Sequence, residues 1–349
     1  METGRIKLEE FQLVHELDSL DLASKRKKTK KANTEVSGSD DVKVEIISMD
    51  RLELEIDFIG FHISLVNAYR RIVLAEVATM AIEKVYMYNN TSIVQDEVLA
   101  HRLGLVPLKA DPRYFEFRNK DETEWGAQDS IKYELKVRCT KNLHAAADET
   151  DPDELYFHRK VLSSSLKWVP LGNQTDIFQE AVMQPLHQDI LLAKMNAGHE
   201  INLEAYAVKG IGSDHAKFQP GLCWYRLLPE IELTREVEGE QADLLQKCFS
   251  AGVIDIVPAS GGKRIAKVNN ARNDACSRNV FQYDSIKDSV RLTRKTDHVI
   301  SPSSISVYVE SHGALKSYEI LEEAVSIMIA KCDLLLNEID KSVENDLGS

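Results

Sequence analysis

Apolar residues recur at spacings of three and four from Leu65 to Val77, at Leu65, Val66, Tyr69, Ile72, Val73 and Val77. That period places them on one face of an amphipathic helix, with Arg70 and Arg71 side by side off the stripe. From His62 to Val77 such a helix would be about 24 Å long, enough to cross a small domain. A core helix lying on its own sheet and a helix shared with a partner give the same stripe, so the pattern leaves both open. A longer helix is predicted from Ser317 to about Val343, with Ile320, Ala324, Ile327, Met328, Leu334, Leu335 and Ile339 as its apolar stripe. Glu322, Glu323, Asp333 and Glu338 lie largely off it.

Before the first of these helices, and again between the two, the period shortens to two. Val42, Val44 and Ile46, then Leu52, Leu54, Ile56 and Phe58, alternate with polar residues and predict two half-buried strands. Glu53, Glu55 and Asp57 fall on one side of the second, which reads as the wet face of a sheet. A strand at Ile82–Tyr88 is followed by a short helix that Asp96 and Glu97 start, Gly104 closes and Pro107 prevents from resuming. Its predicted apolar face is Val98, Leu99 and Leu103. From Asp111 to about Gln219 the chain shows β-like runs at Ile131–Cys139, Leu166–Pro170 and Ile201–Lys209, and one modest helix candidate at Asp189–Met195. Further on, Tyr225–Leu233 reads as one strand and Ala242–Phe249 as a short helix. Val253–Val257 and Ile265–Val268 flank a hairpin turn at Ser260-Gly261-Gly262, and Ser306–Ser311 is a last strand.

These elements predict an α+β fold: a split domain, antiparallel sheet plus two long helices, carrying an inserted β-rich domain. The predicted segments are a flexible tail at 1–40, the split domain at 41–90 and 225–343 with a reduced insert around 248–298, the β-rich insert at 91–224, and a tail at 344–349.

A net charge of −13 argues against broad electrostatic attraction to nucleic acid. The basic run Lys25–Lys31 stands out against it, as a solvated tail or a nuclear-localisation signal. No stretch approaches the roughly 18 apolar residues of a membrane helix, and the charged first residues do not read as a secretory signal. Five cysteines without a C-x-x-C pair suggest free thiols.

One loop, Lys209–Pro220 (KGIGSDHAKFQP), offers candidate chemistry. Gly210 and Gly212 permit a tight turn with positive φ. Asp214, His215 and Lys217 could form a reaction constellation, and the loop lacks the spacing of a phosphate-binding loop. The nearest candidate nucleophile, Cys223, lies between Leu222 and Trp224 in a strand-like run. A structural or partner-contact loop and the loop of a stand-alone enzyme are the alternatives.

Asn67-Ala68-Tyr69-Arg70-Arg71-Ile72-Val73-Leu74-Ala75-Glu76-Val77, DEVLAHRLGLVPL at Asp96–Leu108, KGIGSDHAKF and the terminal helix resemble, in this order, the α-type subunits of cellular RNA polymerases. The resemblance covers roughly Val42–Asp340. It is nearest to the larger α-like subunits shared by eukaryotic RNA polymerases I and III. The Asp111–Asn119 stretch has none of the zinc-binding cysteines expected in the RNA polymerase II counterpart. Only Cys248 and Cys276 fall where archaeal relatives often hold an iron–sulfur cluster, so no metal or other cofactor is expected.

The resemblance implies a split dimerisation domain and a non-catalytic assembly role in the nucleus, including the nucleolus, supporting synthesis of ribosomal RNA precursors, 5S rRNA and tRNAs. Leu65, Val66, Tyr69, Ile72, Val73, Ile320, Ala324, Ile327, Met328 and Leu335 would meet the smaller α-like subunit. Arg70, Arg71, Lys209, Gly210, Asp214, His215 and Lys217 would face the second-largest catalytic subunit and the small zinc-binding shared subunits. Nucleic acid would be reached only through the complex, and no membrane is implied. The matching subunit of RNA polymerase II is the remaining alternative.

Overall fold

The run Ile201–Lys209 is the middle of a longer strand, Glu200–Ile211, in a computed structural model of the chain. Its alternation is physical: Ile201, Leu203, Ala205 and Ala207 are buried in a core, and Asn202 and Glu204 lie on the other face. The strand pairs antiparallel with Ala78–Asn90 on one side and Ser130–Arg138 on the other, and Lys167–Val169 completes the sheet. The structure describes residues 5–8, 13–16, 42–119, 121–145, 151–179, 183–259, 262–275, 277–295 and 304–347. Lys25–Lys31, Cys276 and the Ser260-Gly261 pair of the predicted turn lie outside them.

The chain divides into two units, one of residues 1–48, 55–67 and 224–308, the other of 49–54, 68–223 and 309–349. The cut runs through the opening helix, and the terminal helix falls with the β-rich segment rather than with residues 225–308.

In the second unit the core gathers Ile82, Leu99, Leu103, Ile131, Tyr133, Leu135 and Leu203 under the four-stranded sheet. The helix Asp96–Gly104 contributes Leu99 and Leu103, one turn apart, whereas Val98 is exposed and not part of its apolar face. The helix candidate at Asp189–Met195 is instead the strand Leu191–Lys194, paired with Lys160–Leu162. A run that short holds too few helical hydrogen bonds to compete with a sheet partner. The opening helix spans Ile63–Ala75 and gives way to the strand from Ala78. The terminal helix spans Ser317–Leu347. At its start the Ser317 amide donates to Arg51 O, the Ser317 hydroxyl to Asp50 O at 3.0 Å, and the Lys316 amide to Glu319 Oε2 at 2.8 Å.

In the first unit, Tyr225–Leu233 is two strands, Gly221–Leu227 (here its residues 224–227) and Pro229–Leu233, because Pro229 has no N–H to continue a ladder. The sheet order Gly221–Leu227, Ser304–Ser311, Glu53–Ile59, Lys43–Met49 is carried in this unit by residues 224–227, 304–308, 55–59 and 43–48. A second sheet runs Pro229–Leu233, Val290–Lys295, Arg5–Leu8, Leu13–Glu16. Ordered strands therefore occur inside the segment predicted as a tail. The helix Glu240–Cys248 and the hairpin Ile254–Pro258/Arg264–Val268 close over Ile231, Ala242, Leu245, Val253, Val280, Ile286 and Leu292. The region read as a reduced insert therefore shares a hydrophobic core with Ile231, Ala242 and Leu245, and Val280 and Ile286, from the stretch read as loop-like, are buried in it.

The predicted wet face of Glu53–Ile59 is exposed at Glu53 and half-buried at Glu55, and fails at Asp57. Leu54, Ile56 and Phe58 are buried on one side, and Asp57 on the other is only 4% exposed. Arg272 fills the space between, pairing with both Asp57 and Glu55.

Candidate functional site

The opening helix turns most of its stripe inward. Val66, Ile72 and Val73 are buried in this chain, Tyr69 is half-buried, and Leu65 remains exposed. The terminal helix divides lengthwise. Ile320 and Ala324 are buried and Ile327 and Met328 half-buried, but every described residue from Ile329 to Ser342 is exposed. Leu334, Leu335 and Leu336 stand 67%, 62% and 57% exposed, with Ile329 and Ile339 beside them. Of the residues the resemblance offered to a partner, Val66, Ile72, Val73, Ile320 and Ala324 therefore lie in this chain's own interior. Of the predicted partner-facing helices, the terminal one keeps accessible apolar surface in its second half. Three successive leucines, too many for one helix face, were the sequence signal for it.

Arg71 is exposed and Arg70 half-buried. Arg70 is close enough to Cys223 to act on it electrostatically. Burial nonetheless pushes the Cys223 thiol up to about 12, so it carries almost no thiolate at neutral pH.

Residues 209–211 of the predicted loop are the end of the strand Glu200–Ile211, paired with residues 78–80, and the remainder to Pro220 folds onto the C-terminal end of the opening helix. Ser213 donates to Ala75 O from its amide at 2.8 Å and from its hydroxyl at 2.9 Å. Thr79 Oγ1 donates to Phe218 O at 2.8 Å. A Cβ on Gly212 would stand 2.1 Å from Leu74 O, and one on Gly210 would stand 2.6 Å from the Phe218 ring. The glycines serve close approach, not positive φ, which neither adopts.

Two of the loop's cations are held within this unit. Lys209 Nζ donates to Phe115 O at 2.9 Å and lies over the Phe117 ring; burial pushes its pKa down. Lys217 Nζ donates to Ile82 O at 2.8 Å and pairs with Glu83. Asp214 and His215 are the predicted loop residues left exposed, and His215 Nδ1 accepts the Lys217 amide at 3.1 Å. The buried Cys223 thiol, held protonated, is a poor nucleophile for the enzyme reading.

Beside the loop, Glu83, His101, Gly104, Leu105, His215 and Lys217 border a cleft of about 240 Å³. Among the described residues, no three His, Cys, Asp or Glu side chains gather as metal ligands would. No described helix is long and apolar enough to cross a membrane.

A family model of the RNA polymerase Rpb3/RpoA insert domain matches residues 85–221. The Mus musculus protein named DNA-directed RNA polymerases I and III subunit RPAC1 is 50% identical over 305 residues, covering 87% of this chain and 86% of the mouse protein. Its Saccharomyces cerevisiae namesake is 42% identical over 301 residues, 85% of this chain and 87% of the yeast protein. The Dictyostelium discoideum RNA polymerase II subunit rpb3 is similar at 30% over 297 residues, 81% of this chain and 91% of that protein. The gap between those identities separates the I/III type from the II type. This chain belongs to the Rpb3/RpoA family, as an RPAC1-type subunit shared by DNA-directed RNA polymerases I and III.

Proposed function

We propose that the chain is a non-catalytic assembly subunit of RNA polymerases I and III. It pairs with the smaller α-like subunit through the exposed half of its terminal helix, joined by the half-buried Tyr69, Ile327 and Met328. It helps hold the second-largest catalytic subunit through Arg71 and through Asp214 and His215 on the loop. The small zinc-binding shared subunits sit beside that loop, and nucleic acid is met only through the complex. As a subunit of these polymerases it works in the nucleus, and the making of ribosomal RNA precursors extends that to the nucleolus. 5S rRNA and tRNAs are the other products it supports. The chain itself holds no metal.

The observation that carries this reading is the bare stripe Ile329, Leu335, Leu336 and Ile339. Four such side chains, each about half exposed, contribute roughly 3–7 kcal/mol gross once covered, before the costs of association. A soluble chain rarely leaves such a stripe open unless another chain covers it. Arg71 suits the second contact because a guanidinium pairs with carboxylates in a fixed two-pronged geometry. Co-expression of the full chain with the smaller α-like subunit tests the reading. A stable one-to-one complex that then takes up the second-largest subunit is expected, and a chain that stays monomeric beside that partner would sink it.

A further inference from the structure

We infer that the cleft between the strand Ala78–Asn90, the helix Asp96–Gly104 and the Lys209–Pro220 loop receives one carboxylate side chain of the second-largest subunit. The inference rests on the reading that this subunit docks against the loop, and it names the chemistry of the contact. At about 240 Å³ the cleft has room for a carboxylate side chain and is too small for a helix or a strand.

Three of the side chains that border it, Lys217, His215 and His101, can donate. Lys217 Nζ has three protons; Ile82 O takes one and Glu83 another, which leaves one for a ligand. The Lys217 amide donates to His215 Nδ1, so a neutral His215 carries its proton on Nε2 and is a second donor. His101, exposed on the helix side of the cleft, adds another imidazole. The carboxylate bordering the cleft, Glu83, is already paired with Lys217. An incoming cation would therefore compete with an ammonium already in place, whereas an incoming carboxylate meets unfilled donors.

The walls support the same use. Gly104 is buried where a Cβ would come within 3.3 Å of Ile82 O and 3.7 Å of the Lys217 side chain, so a larger residue would press on the floor. Leu105 stands half-exposed at the border and supplies an apolar collar that keeps water from a seated ion pair.

The test uses the complex of full chain, smaller α-like subunit and second-largest subunit, reading the dissociation constant of the last. Glu83 and His215 are both exposed, so their replacement leaves the core untouched. Glu83→Gln releases Lys217 for the ligand and should tighten binding several-fold. His215→Ala removes a donor and should weaken it about tenfold. Weaker binding with Glu83→Gln would overturn the inference, because Glu83 would then be gripping a partner cation. Leu105→Glu separates the two levels of argument. If it weakens binding while Glu83→Gln and His215→Ala change nothing, the subunit docks here without filling the cleft, and the inference falls alone. If none of the three changes binding, the docking reading falls with it.

Discussion

Arg272 and Asp57, 215 residues apart in sequence, form an ion pair inside the first unit. The same guanidinium donates to Glu55 Oε1, which also accepts from the Ser306 hydroxyl at 3.1 Å and from the Tyr308 hydroxyl. Arg272→Ala would leave Asp57 buried without its cation, at a cost of about 3–5 kcal/mol. Urea denaturation of the full chain in its heterodimer should show a loss of that size. A loss under about 1 kcal/mol would mean that water replaces the guanidinium at no real cost.

The same cluster sets a pH dependence. Burial pushes the Glu55 carboxyl up, but the hydrogen bonds from Tyr308, Arg272 and Ser306 together hold it below its ordinary 4.5. A carboxyl held lower in the folded state than in the unfolded one adds stability that is complete above the unfolded value. That stability is lost as pH falls through the folded value. Stability should therefore begin to fall as pH drops past about 4.5. Glu55→Gln should flatten that acid limb while lowering stability at pH 7. An unchanged acid limb would remove Glu55 as a contributor.

Gly212 is expected to resist substitution for a reason the loop alone does not show. Its missing Cβ faces Leu74 O, a helix backbone atom that cannot swing aside as a side-chain end could. Gly212→Ala should cost about 1–3 kcal/mol or more by overpacking, and Ser213→Ala about 1 kcal/mol for one hydrogen bond to Ala75 O. Gly198→Ala is a useful contrast. There a Cβ meets nothing within 4 Å and the cost comes from φ of +88° alone. Thermal unfolding of the three variants should rank Gly212→Ala as the most damaged.

The misread positions share a cause. The period of the opening helix, the strand Glu200–Ile211 and the terminal helix were legible because side-chain alternation is local. Asp57 was not, because the residue that lets it be buried lies in a separate turn far along the chain. Gly212 pointed to a turn because its true neighbour, the end of the opening helix, lies 138 residues away by the Ser213–Ala75 bond. Val73 and Leu335 show the limit most directly. Each sits on a helical apolar stripe, but one is fully buried in its own chain and the other is exposed. Periodicity identifies a buried face without saying whose core it enters.

Zinc content addresses the proposal that the chain holds no metal. Three of its cysteines, Cys139, Cys223 and Cys248, are buried thiols, and burial pushes each of their pKa values up. A buried thiol with a raised pKa must lose its proton before it can ligate, which disfavours metal capture. Pure full chain should contain well under one zinc or iron per molecule by elemental analysis. Stoichiometric metal that survives chelation would overturn the proposal.

The terminal helix gives the sharpest test of where the partner sits. Leu335→Asp or Leu336→Asp changes a side chain already in solvent, so the monomer's helix content and unfolding temperature should hardly move. In the heterodimer either change would force a charge into an apolar seam, and affinity for the smaller α-like subunit should fall by about a hundredfold or more. Ala324→Asp acts at a fully buried site of the same helix and should instead unfold the chain before any partner is added. Isothermal titration, with circular dichroism on each free variant, separates the two outcomes. Should Leu335→Asp and Leu336→Asp both bind as tightly as the parent chain, the exposed half of the helix is not the seam, and Leu65 and Tyr69 become the next residues to change.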